Sequence, residues 1–233
     1  RMENLEQYRR RTGGFMRDSL PHDGMFETNP NLARKAGEDG RFRPFYGDTV
    51  IYGVEDEVKK KIEQIKGHLY TDCGDMLAEP LDEDTFHVTL HDLSSGGESA
   101  ALAVQMERNR RKAQQILDAV RREAMPSARV RAVSVFNMVN TSVVLGLEPA
   151  DETSCRRLME LYERFQDAVR LDYPLTLHIT VAYFRPGSYS DGQRQKLAGM
   201  FSELSRELDM EFCLEDERLR YQRFQDMNHY GNI

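Results

Sequence analysis

From residue 48 onward the apolar positions follow two rhythms, one of strands and one of helices. Thr49–Val54 (TVIYGV) is a short apolar run and predicts a strand. Residues 55–69 set Val58, Ile62, Ile65 and Leu69 on one helical face. Asp84–Leu93 (DTFHVTLHDL) alternates, with Phe86, Val88 and Leu90 facing one way and the residues between them the other. A long helix is predicted from residue 98 to 125. It carries Ala113, Ile116, Leu117, Val120 and Ala124 at helical spacing, and Pro126 stops it. Two strands, 129–138 and 141–148, follow as a hairpin across Asn140. The clearest helix covers 151–170, where Leu158, Leu161, Tyr162, Phe165, Ala168 and Val169 form one stripe. Leu175–Phe184 (LTLHITVAYF) reads as another strand, and 191–208 as a helix with Leu197, Met200, Phe201, Leu204 and Leu208 inward. Short strands at 210–214 and 217–224 close the pattern.

This order repeats. The strand starting near 48 matches the one near 141, an offset of 93 residues; the helices at 55 and 151 differ by 96, and those at 98 and 191 by 93. A near-constant offset over strand–helix–strand–helix predicts an internal duplication. The fold expected is α+β: two pseudo-symmetric β-rich lobes with outer helices around a central groove, the lobes spanning about 45–127 and 128–233 with elements free to cross. Residues 1–44 differ. Gly13, Gly14, Gly24, Gly37, Gly40, Pro21, Pro30 and Pro44 break any sustained apolar period, so an irregular arm is expected there.

The duplication also aligns chemistry. His87-Val88-Thr89-Leu90 lies in the first long strand and His178-Ile179-Thr180-Val181 in the second, 91 residues apart. Strand alternation puts His87 and Thr89 on one face, opposite Phe86, Val88 and Leu90. It does the same for His178 and Thr180, opposite Leu177, Ile179 and Val181. Either motif alone is compatible with a solvated strand face. Two of them at equivalent positions of a repeat predict polar faces that meet across one cleft.

Composition narrows the partners. The chain has 233 residues, a net charge of −7, and 30% charged residues. That balance does not suit a binder of long duplex nucleic acid, while a short phosphate-bearing ligand fits. Mean hydropathy is −0.65 and no run approaches a membrane span. Residues 1–16 carry arginines without an apolar stretch, so they do not read as a secretory signal. The three cysteines, Cys73, Cys155 and Cys213, are odd in number and far apart. They argue against a disulfide framework or a close-spaced zinc site, and suit a reducing compartment such as the cytoplasm. A monomer is expected.

The paired His-apolar-Thr-apolar motifs resemble the signature of the two-histidine (2H) phosphoesterase superfamily, with its LigT-like fold. The resemblance covers roughly residues 45–225, and GRFRPFYGDTVIY (40–52) followed by FHVTL resembles one subgroup of it. It implies metal-independent hydrolysis of a 2′,3′-cyclic phosphate, or a related phosphodiester, of a nucleotide or RNA end. His87, Thr89, His178 and Thr180 would be the catalytic set, with no metal or cofactor. In that family the first histidine is more often the acid and the second the base; the sequence alone does not order them. The residue chemistry agrees. Histidine transfers protons near neutral pH, and threonine hydroxyls can hold the phosphate oxygens.

Secondary candidates are His91, on the His87 face by parity; Phe184, on the His178 face by parity, with Tyr183 opposite; and Arg43 and Arg185, with Arg41, flanking the predicted strands. For each there is a plainer reading: core packing for the aromatics, solvation for the arginines. The run Arg108–Lys112 with Arg121 and Arg122 reads as a wet helix face, and His22, His68 and His229 as surface residues. Two rival functions stand beside hydrolysis: a nucleotide- or oligonucleotide-binding module on the same fold, and a metallohydrolase built on His87, His178 and Asp92. Intact motifs weigh against the first, and the scarcity of nearby carboxylates against the second.

Overall fold

The computed structural model describes residues 2–231. The chain opens with helix α1 (Leu5–Arg17). A short strand β1 (Phe26–Glu27) and a 3-10 turn (Pro30–Arg34) lead into β2 (Tyr46–Gly53). Helix α2 (Asp56–Cys73), strand β3 (His87–Gly96) and helix α3 (Ala100–Glu123) complete the first half. The second half runs β4 (Ala128–Met138), β5 (Ser142–Pro149), α4 (Glu152–Phe165), β6 (His178–Tyr183), β7 (Ser188–Tyr189) and α5 (Asp191–Arg206). Strands β8 (Glu211–Leu214), β9 (Leu219–Asp226) and β10 (His229–Gly231) end it.

Two four-stranded antiparallel sheets carry the architecture, in the orders β10-β9-β2-β3 and β6-β5-β4-β8. They match strand for strand: the repeated β2–α2–β3 and β5–α4–β6 units place a histidine strand at one edge of each sheet. The two edge strands β3 and β6 approach each other. The sheets differ in how the chain supplies their outer strands. β4 precedes its hairpin partner β5, whereas β9 and β10 return from the C-terminus to the first sheet, so the lobe division at residue 127 is crossed. One continuous apolar cluster links both halves, from Val50 and Leu69 to Leu158 and Leu204.

The helix stripes fall where the periodicity puts them. Val58, Ile62, Ile65 and Leu69 are buried in α2, and Leu158, Leu161, Tyr162 and Phe165 in α4. Helix α3 ends at Glu123, ahead of Pro126, which disfavours helical backbone in the residue before it.

The expectation of an irregular arm over 1–44 is corrected by α1. Asn4 and Gln7 form a reciprocal capping box, and Leu5, Tyr8, Thr12 and Met16 make a buried stripe despite Gly13 and Gly14. The stripe packs on β4 and β5. Tyr8 shows no exposed surface; its hydroxyl donates to the Leu147 carbonyl at 2.8 Å and accepts from the Leu177 N–H at 2.9 Å. The rest of the arm is also anchored. β1 pairs with β7, and Ala36 bridges to Phe42.

Candidate active site

The polar faces of β3 and β6 open on one groove of about 810 Å³, and His87, Thr89, His178 and Thr180 all line it. The geometry is the same on both sides. His87 Nδ1 meets the Thr85 carbonyl at 2.5 Å, and His178 Nδ1 meets the Thr176 carbonyl at 2.8 Å. In the neutral imidazole this bond puts the proton on Nδ1 and leaves Nε2 as a lone-pair acceptor; in the cation Nε2–H becomes a donor. Neither Nε2 has a hydrogen-bond partner among the described residues. Thr85 and Thr176 thus belong to the site through their carbonyls. Their signal was present in the sequence as Thr-apolar-His-apolar-Thr in both repeats, TFHVT and TLHIT.

Burial lowers the pKa of both histidines. For His87 it does so to about 4, with the Thr85 bond and Asp92 acting the other way and a charge on His178 lowering it further. That last effect places the two rings within electrostatic reach of each other. His178 is likewise lowered by burial, against the Thr176 bond and Asp92. Burial therefore favours the neutral form of both imidazoles at neutral pH. Asp92 is the carboxylate that favours charge on either ring, and it accepts a hydrogen bond from the Tyr173 hydroxyl at 2.9 Å.

The secondary candidates are redistributed by β-bulges, which insert one unpaired residue and reverse the alternation beyond it. In β6, Val143 pairs with Ala182 but Val144 with Thr180, so Val181 is the extra residue. Tyr183 therefore joins the groove face, its phenol within reach of the Thr180 hydroxyl, and burial raises its pKa. Phe184 turns into the core, fully buried, with its ring 5.0 Å from that of Phe26. The parity assignment of these two is thus reversed. In β3, Val50 pairs with His91 and Ile51 with Thr89, leaving Leu90 extra. His91 accordingly leaves the His87 face: it is buried against Tyr162 and Phe165 and bonds Gln166 through Nε2 at 3.1 Å. Asp92 takes the groove position instead.

The arginine candidates also lie outside the groove lining. Arg43 donates to the Ala33 carbonyl at 2.8 Å on the surface. Arg185 packs over Gly40, whose φ of +81° and lack of a side chain admit the guanidinium; a Cβ there would lie 3.0 Å from it. Arg110 and Arg111 pair with Glu107 on α3, as a solvated helix face does. His22, His68 and His229 are exposed, and the three cysteines are free thiols.

Sequence reasoning missed Lys35, Arg11, Tyr173 and Tyr230, which also line the groove. Arg11 is committed to Glu3, Thr176 and the Leu175 carbonyl. Tyr230, on the returning hairpin, covers the His87 ring at 5.2 Å. All four come from segments whose position depends on tertiary packing, and none carries a local motif.

Among the described residues no three His, Cys, Asp or Glu side chains are grouped to hold a metal ion, so the His87, His178 and Asp92 ligand set does not form. No helix among them is long and apolar enough to cross a membrane.

No family model matches the chain, and no curated protein does. Among solved structures, TT0787 of Thermus thermophilus has a TM-score of 0.48 at 16% identity, covering 79% of this chain and 93% of its own. Escherichia coli LigT complexed with 3′-AMP has a TM-score of 0.47 at 12% identity, covering 82% and 96%. ATU0111, a conserved protein of unknown function from Agrobacterium tumefaciens, superposes with a TM-score of 0.68 at 16% identity over 94% of this chain and 96% of its own. That last superposition shows that the two-sheet α+β fold is shared with the Agrobacterium protein over nearly the whole of both chains.

Proposed function

We propose that the chain is a phosphoesterase that hydrolyses a 2′,3′-cyclic phosphate, or a related phosphodiester of a nucleotide or RNA end, by His/His acid–base catalysis without a metal ion. One observation carries the reading. Two imidazoles on facing edge strands are each oriented through Nδ1 by a carbonyl two residues upstream, both line the same groove, and neither Nε2 has a hydrogen-bond partner among the described residues.

One Nε2 takes a proton from water as its oxygen bonds to phosphorus. The other donates Nε2–H to the ester oxygen as the old P–O bond breaks, and a phosphomonoester with a free hydroxyl remains. The work needs one neutral ring and one charged ring at the same moment. Burial favours the neutral form of both rings, so the negative charge of the substrate phosphate, with Asp92, supplies the field that protonates one of them. The Thr89 and Thr180 hydroxyls, two residues along each strand, donate to the non-bridging oxygens, where charge accumulates.

The test is a panel of cyclic phosphates and phosphodiesters, assayed for monoester release with wild type, His87→Ala and His178→Ala, each with and without chelator. Each variant should lose at least ~100-fold in turnover, and the double variant little more, because the pair acts as a unit. Chelator should change nothing. A substrate with a strongly activated leaving group should restore the variant that lacks the acid and not the one that lacks the base, which assigns the two roles. Wild-type turnover equal to that of both variants would refute the reading, and binding without turnover would favour the binding module.

A further inference from the structure

Among the described residues, the groove lining includes a lysine whose ammonium meets aromatic rings and no hydrogen-bond acceptor. Two basic side chains line it besides the histidines, and Arg11 is fully committed to its own neighbours. The other, Lys35, forms no ion pair or hydrogen bond through its ammonium among the described residues. Its Nζ lies between two aromatic rings, 5.5 Å from the centroid of Phe45 and 5.6 Å from that of Tyr183. Ring faces attract an ammonium but leave its three N–H donors unused. Half-burial already disfavours the charge, and a second positive charge on Arg34 adds to that; Asp92 acts in the opposite sense. The Asp92 carboxylate is engaged elsewhere, with the Tyr173 hydroxyl.

The backbone at Lys35 is pinned on both sides. Its N–H closes the 3-10 turn on the Leu32 carbonyl at 2.9 Å, and its own carbonyl accepts from the Arg43 N–H at 2.8 Å. The next residue, Ala36, is buried and bridged to Phe42. A lysine carried on a fixed turn, with its head group seated against aromatics at a groove wall, differs from a surface lysine sweeping through solvent. Tyr183 ties this position to the chemistry: one side of its ring faces Lys35, and its phenol reaches Thr180.

We propose that Lys35, supplied by the N-terminal segment, is a phosphate-binding residue of the groove, its ammonium donating to a phosphate oxygen of the substrate on the Thr180 side. This inference rests on the phosphoesterase reading for the identity of the anion, but the anion site itself can be tested without turnover. The phosphate in question is either the group under attack or a second phosphate on the same molecule, and substrates can separate these.

The experiment measures binding of inorganic phosphate by calorimetry or 31P titration to wild type, Lys35→Met and Lys35→Arg, with thermal melts to verify folding. Lys35→Met keeps the stem against Phe45 and Tyr183 and removes the charge; it should weaken phosphate binding about 10–100-fold, the range of a charge-assisted hydrogen bond. Lys35→Arg keeps the charge and should stay within about threefold of wild type. In parallel, kcat/KM is compared for a cyclic mononucleotide and for one bearing an additional terminal phosphate. Equal loss on both in Lys35→Met places the ammonium on the reacting phosphate; loss confined to the second places it on the additional one. Wild type without phosphate affinity, or Lys35→Met binding phosphate as wild type does, overturns the proposal even if phosphodiesters are hydrolysed. Charge-dependent phosphate binding with no hydrolysis of any phosphodiester leaves the anion site standing and removes the enzymatic reading.

Discussion

Tyr8→Phe tests whether the N-terminal helix positions the second histidine strand. The hydroxyl of Tyr8 completes a pair in the β5–β6 ladder. Between Leu147 and Leu177 one bond is direct, from the Leu147 N–H to the Leu177 carbonyl at 2.9 Å, while the return bond runs through the Tyr8 oxygen. Leu177 directly precedes His178. Phenylalanine keeps the ring and opens almost no cavity, so the loss is confined to hydrogen bonding. It leaves one buried N–H and one buried carbonyl without their partner. Each orphan costs about 1–3 kcal/mol, so the variant should lose about 2–5 kcal/mol of stability. For a chain of 233 residues, a central loss of ~3 kcal/mol corresponds to a Tm lower by roughly 6–12 °C. Turnover should fall by about tenfold at a temperature where the variant is folded, because the start of β6 is no longer held and the His178 ring loses its position. Calorimetry and a turnover assay on the same preparation check both numbers. A Tm within about 2 °C of wild type would refute the inserted hydroxyl, and a lowered Tm with unchanged turnover would refute its coupling to His178.

The remaining predictions concern the groove and its rim. Thr89→Val and Thr180→Val preserve the β-branched shape, and each should cost about 10–1000-fold in turnover with melting unchanged; full activity of the double variant would show that neither hydroxyl meets the phosphate. The folded-state pKa of His87 is about 4 against 6.5 for the free side chain. On acidification the unfolded chain therefore takes up the proton first, and stability is lost as pH falls from about 6.5 toward 4. Melts at pH 7.5 and 4.5 should show wild type losing more stability than His87→Gln, and equal losses would contradict the buried neutral ring. Val139 and Asn140 turn the β4–β5 hairpin with φ of 45° and 60°. Left-handed backbone suits Asn but strains a β-branched residue, so Val139→Asn should gain about 1 kcal/mol, seen as a Tm rise of ~2–4 °C, and a lower Tm would refute the strain.

What the sequence determined by itself was the set of repeated local units and the identity of the paired motifs. The stripe of Val58, Ile62, Ile65 and Leu69 and that of Leu158, Leu161 and Phe165 have the helical period that packing demands, and both are buried. Alternation along DTFHVT and LTLHIT assigns His87, Thr89, His178 and Thr180 to the faces they occupy, because side-chain direction in a regular strand depends only on parity. Parity fails where the ladder does. The extra residues Leu90 and Val181 are bulges set by register against β2 and β5, and no local pattern announces them. They alone decide that Tyr183 and Asp92 enter the groove while Phe184 and His91 leave it. The helix in the arm is hidden from local pattern for a related reason. The glycines of α1 lower its intrinsic helix propensity, but burial of Tyr8 and Met16 against a sheet more than 100 residues away overrides that propensity. Lys35, Tyr173 and Tyr230 become groove residues only when the 3-10 turn of the arm, the loop after α4 and the C-terminal hairpin converge on the two histidine strands. That convergence is a long-range packing event, driven by closure of one apolar core across both sheets, and it leaves no local signature in the order of the residues.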